Sequence, residues 1–135
     1  MAACDVRAVR EGIETNLQAI TGLRTTSIVP DNVSPPVAIV AFPESINYDD
    51  TFGRGADRLS VLVHVLVGKV SDRAANTALD AYLSGGEGGI KAAIEADITL
   101  DGAARTCRVV EAETNVMVVG AQEYLAATFT VDVLT

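Results

Sequence analysis

The chain has no tryptophan, only three phenylalanines and three tyrosines, two cysteines and a single histidine among its 135 residues. So few aromatics leave little surface on which bases or sugars can stack. Cys4 and Cys107 stand far apart without a CxxC pair or a histidine-rich companion, so the sequence offers neither a zinc motif nor a disulfide framework, and free thiols are expected. Basic residues are scarce too. Ten Lys and Arg against eighteen Asp and Glu give a formal net charge of -8, which repels a phosphate backbone and favours solubility. No apolar run approaches the ~20 residues that a membrane helix needs, and the opening MAACDVRAVREG lacks the apolar core of a signal peptide. The expectation is a soluble intracellular product with no membrane partner.

What is abundant is aliphatic. Hydrophobic residues make up 49% of the chain, mostly Val, Leu, Ile and Ala, and at this length they fill one core, not two. We therefore expect a single domain over residues 1–135. In DVRAVREGIETNLQAITG, Val6, Val9, Ile13, Leu17 and Ile20 recur at steps of three and four and line one side of a helix, with Asp5 as its cap and Gly22 at its end. Arg7, Arg10, Glu11 and Glu14 read as its solvated face. A short β-prone piece follows, then a proline-marked break and a strand over residues 37–42.

Residues 44–57, PESINYDDTFGRGAD without its first proline, are polar and glycine-marked, and predict a loop longer than a tight hairpin needs. Strict alternation over residues 59–67, apolar for the most part on both faces, predicts a central strand covered on both sides for much of its length, with Leu59, Val61, Val63, Val65 and Val67 on one face and Ser60, Leu62, His64 and Leu66 on the other. SDRAANTALDAYLSGG predicts a helix capped by Ser71, presenting Ala75, Leu79 and Tyr82 to the core. A short helix in GGIKAAIEAD follows. ARTCRVVEAE, a glycine-turned NVMVVGAQ and EYLAATFTVDVLT then supply strands, the last with Leu125, Ala127, Phe129, Val131 and Val133 inward. The fold class expected is α+β, a mostly antiparallel sheet with helices packed on one face.

Chemistry-bearing patterns are weak. FGRGADR has Gly53 and Gly55 but Arg58 where a dinucleotide fingerprint needs a small residue, and it leads into a strand instead of a helix. Ser60, on the same strand face as His64, lies roughly 13 Å from it at ~3.3 Å per residue, too far for a nucleophile and its base. The carboxylates Asp49, Asp50, Glu111 and Glu113 fall on expected loops and edge strands. No catalytic, cofactor or metal residue is assigned, and the chain is not read as an enzyme. A competing reading, a small-ligand module or enzyme subunit, would gather Tyr48, His64 and Arg54 around a pocket.

The segments VREGIETNLQAITGLRT, VPDNVSPPVAIV, INYDDTFGRGADRLSVLVHVLVGKVSDRAANTALDAYLSG and GGIKAAIEAD, in this order, resemble the gpU-like tail terminator proteins of long-tailed (siphovirus) phages, particularly those of actinobacteria. TFGRGADR and LVGKVSDRAA are the most distinctive parts, and the resemblance runs over roughly residues 5–134. It implies a virion structural protein at the head-tail junction, made in the host cytoplasm. Such a protein assembles as a hexameric ring on the last ring of the major tail tube protein, ends polymerisation and joins the head through a head-completion or stopper protein. The stopper proteins of the neck are the near alternative. In such a ring, pooled negative charge would let DNA pass without sequence-specific binding. Ring closure against that repulsion needs apolar contacts or complementary pairs, and Asp49, Asp50, Arg54 and Arg58 are the candidate interface residues.

Overall fold

A computed structural model describes residues 5–20, 23–26, 36–48, 57–69, 73–86, 89–100, 102–119 and 121–135. In chain order the elements are α1 (Val6–Leu17), β1 (Arg24–Thr26), β2 (Val37–Asn47), β3 (Arg58–Lys69), α2 (Arg73–Leu83), α3 (Ile90–Ile94), β4 (Thr106–Val119) and β5 (Gln122–Leu134). The strands form one sheet in the order β1-β2-β3-β5-β4. Every neighbouring pair is antiparallel except β1 and β2, which run parallel. The protein is α+β, as expected from the sequence.

α1 begins where Asp5 accepts a hydrogen bond from the Ala8 amide at 3.1 Å, satisfying one of the donors that the first helical turn leaves free. Its Val9, Ile13 and Leu17 are fully buried. They pack with Ala75 and Leu79 of α2, Ile90 and Ile94 of α3, and the inward faces of β3 and β5. Each such aliphatic side chain removed from water contributes about 1.5–3 kcal/mol before the entropy of ordering is subtracted. The Asn16 amide donates to the carbonyls of Ile94 and Asp97 at 2.9 and 3.0 Å, and so holds the end of α3 against α1. Close packing continues at Gly12, where a Cβ would meet both Cβ and the carbonyl oxygen of Leu100 at 2.7 Å.

All three helices lie on one face. Leu59, Val61, Val63, Val65 and Val67 of β3 point to them, together with Ala127, Phe129, Val131 and Val133 of β5. On the other face a smaller cluster of Val37, Ile39, Leu66 and Ala126 is buried, with Met117 and Tyr124 against it. Ser60, Leu62 and His64 on that face are only half-buried, so the expected two-sided cover of β3 is complete only at its Leu66 end.

Three further differences from the sequence reading have local causes. β2 continues through residues 44–47, because register shifts on either side of Pro43 let the strand resume after a residue that cannot donate to the ladder. The expected loop therefore loses its first residues to the strand, and residues 49–56 lie outside the described residues, as do Gly22 and Ser71. β4 is continuous from Thr106 to Val119; its polar middle needs no break, because an edge strand can be wet on both faces. Arg10 is not a solvated residue: it donates to the Val40 carbonyl at 3.0 Å and its guanidinium lies 4.1 Å from the centre of the Phe42 ring.

Candidate functional site

The helix-free face is where polar groups converge. Because paired residues on neighbouring strands share a face, the cross-strand row Ser60, Asp132, Arg108 lies on it. Arg58, one row further toward the start of β3, reaches back diagonally to place Nη1 2.7 Å from Asp132 Oδ2. Asp132 thus stands between two guanidinium-bearing residues, Arg58 and the exposed Arg108. A shallow cavity of about 310 Å³ opens here, lined by Arg58, Thr106, Cys107, Arg108, Asp132 and Leu134. Arg58 and Arg108 flank Asp132 here, while Glu95 and Asp97 act on Cys107 and Arg108 acts on Glu95, so the cavity is lined by charge of both signs.

Cys107 is buried and free. Burial first, then the charges of Glu95 and Asp97, push its thiol up to about 11, so at neutral pH it stays protonated and unreactive.

His64 lies midway along the same face, opposite Ile39 on β2 and Thr128 on β5. Its Nδ1 is 3.0 Å from Thr128 Oγ1, which also accepts from the Asn115 side-chain amide at 3.1 Å. Burial lowers the imidazole pKa below its ordinary value, which keeps the ring neutral at physiological pH. The row joins β3, β5 and β4 by side-chain bonds. The Thr128 hydroxyl, itself held by the Asn115 amide, fixes the position of the neutral ring.

At the far edge, β4 meets α3. The Glu95 carboxylate accepts from the Val109 amide at 2.9 Å and pairs with Lys91. Burial raises the Glu95 pKa, but the hydrogen bonds from Lys91 and Val109 and the charges of Lys91 and Arg108 outweigh it and leave it lowered.

Of the interface residues expected from sequence, Asp49, Asp50 and Arg54 lie outside the described residues. Arg58 is placed, and it pairs with Asp132 of its own chain, 74 positions away, a pairing with no signal in the sequence. Tyr48 and His64 are not brought together. Asn47 pairs with Arg58, six positions along β3 from His64, or roughly 20 Å at ~3.3 Å per residue. Tyr48 follows Asn47 and is 70% exposed, so the pocket that would have joined these two residues does not form. Among the described residues no group of three His, Cys, Asp or Glu could hold a metal ion, and no helix is long and apolar enough to cross a membrane. Compared with known proteins, the chain matches no protein-family model and no curated protein.

Proposed function

We propose that the chain is a tail terminator of a long-tailed phage. It closes as a ring, six copies by the family resemblance, on the head-proximal end of the tail tube. There it stops further addition of tube subunits and presents the surface to which the head is joined.

The observation that carries this reading is the ordered set of terminator-like segments. Their described parts lie, in the same order, on α1, on β2 and β3, and on α2 and α3 of an α+β domain. One-sided layering supports it. The described helices are confined to one face, and among the described residues the later part of the β4 margin has no partner element, which leaves room for the contacts that a protein acting by occupancy requires. Arg108, exposed on this face, can meet an acidic group of a tube or neck partner. DNA would traverse such an acidic ring without adhering.

The role needs no turnover; it requires a surface that fits one end of a polymer. Deleting the gene from the phage should give tails that overgrow their set length or fail to join heads, as seen by electron microscopy. Tails of normal length attached to heads would refute the reading, whereas normal tails left unattached would favour a stopper.

A further inference from the structure

The outer margin of β4 is divided into two unlike halves. At Val109 both backbone groups that face outward are occupied: the amide donates to Glu95 Oε2 at 2.9 Å and the carbonyl accepts from Lys91 Nζ at 3.4 Å. α3 therefore seals the start of this margin, as folded proteins commonly shield an edge. The remainder is open. β4 has β5 on one side only, so alternate amides and carbonyls beyond the register shift at Glu111 point away from the sheet. Among the described residues nothing takes them. Over residues 111–118 only Met117 is even half-buried, and Val116 and Val118 are 51% and 64% exposed. The opposite margin differs, since β2 carries Pro43 between two register shifts and is covered by β1 at Val37, Ala38 and Ile39.

We infer that residues 111–118 of β4 are a strand-addition site for a second copy of this chain, and that the segment received is the β1 margin of the neighbouring sheet. Charge and facing select that margin. Glu111 and Glu113 pair with Thr130 and Thr128 and so lie on the helix-free face. Arg24 pairs with Val37, which belongs to the cluster on that same face, and Arg24 is exposed. Thr25, turned the other way, reaches Glu14 of α1. Continuing the sheet from β4 of one copy into β1 of the next therefore sets Arg24 on the same side of the junction as Glu111 and Glu113. Pairing β4 with itself, both helix layers on one side, would instead gather four carboxylates there, which like-charge repulsion disfavours. Among the described residues the sheet has one margin of each kind, so the contact is head-to-tail and closes when its rotation allows. This rests on the ring proposed above and names the contact that builds it.

The test is mass by light scattering over a range of concentrations, with thermal melts of each variant. Charge reversal by Arg24→Glu, or by Glu111→Arg with Glu113→Arg, should raise the concentration for half-assembly about tenfold or more, and combining all three should bring it back toward wild type. Val116→Lys, a lysine guard on an edge strand, should weaken assembly while its melt stays close to wild type. Rings that survive every variant, or reversals that the combination does not rescue, would overturn the edge pairing and leave the ring itself standing. A wild-type chain that stays monomeric both alone and on tube ends would remove the ring, and this contact with it.

Discussion

Arg58 on β3 and Asp132 on β5 form an ion pair, Nη1 to Oδ2 at 2.7 Å, within one chain. The pair is diagonal, since Arg58 sits opposite Leu134 and Asp132 opposite Ser60. Any acidic group of a neighbour that approaches Arg58 must therefore share it with Asp132. With the arginine side chain 42% exposed, solvent screens the pair, and its coupling should be about 1 kcal/mol or less. A double-mutant cycle of Arg58→Ala and Asp132→Ala by denaturant melts measures this. If Arg58 also meets a partner, Arg58→Ala should weaken tube capping more than Asp132→Ala does; equal effects would confine its role to the fold.

Gly12→Ala should destabilise the protein by about 1–3 kcal/mol, because the new methyl would lie 2.7 Å from Leu100 Cβ and carbonyl oxygen. Leu100 has little room to yield. It is 1% exposed and already sits at a positive φ of 50°. Urea unfolding checks this, and a variant as stable as wild type would mean that α1 can shift away from the turn after α3.

His64 should shape the acid side of the stability profile. Its folded pKa lies below the unfolded value near 6.5 because burial disfavours the charged ring, so the unfolded chain takes up the proton first. Stability on this account is fully present above the unfolded pKa and is lost as pH falls from there through the folded pKa. Replacing it by His64→Gln should flatten that part of the curve of melting temperature against pH. Parallel curves for the two proteins between about pH 5 and 7 would contradict it.

Cys107 should resist thiol reagents while the protein is folded. The thiol is buried and its pKa is raised to about 11, which leaves almost no thiolate at neutral pH. In a Cys4→Ser background, labelling should appear only when denaturant unfolds the core; prompt labelling of the native protein would show that the start of β4 opens readily.

Where burial repeats with a period, the fold was legible. The steps between Val9, Ile13 and Leu17, and the alternation from Leu59 to Val67 and from Leu125 to Val133, identified α1, β3 and β5 and their inward faces. Legibility failed where tertiary context overrode a local cue. Pro43 looks like a strand end, yet two register shifts absorb it. The run Glu111, Ala112, Glu113, Thr114, Asn115 looks like a break, yet at an edge both faces can be wet. Arg10 has the spacing of a surface residue, but Phe42 on β2 gives its guanidinium a ring to cover. The site was less legible than the fold. Arg58 meets Asp132 because the sheet order sets β3 beside β5, and Glu95 meets the Val109 amide because α3 packs against β4; no spacing along the chain encodes either. With no partner signal in its own chain, Arg58 was read as a candidate contact to a neighbour.

The most direct measurement is the length distribution of tail tubes polymerising in vitro from purified tube subunits, with and without this protein, read from electron micrographs. The account predicts that substoichiometric protein halts growth and leaves rings at one end of each tube. Tubes that reach the same lengths with the protein present, their ends bare, would contradict it.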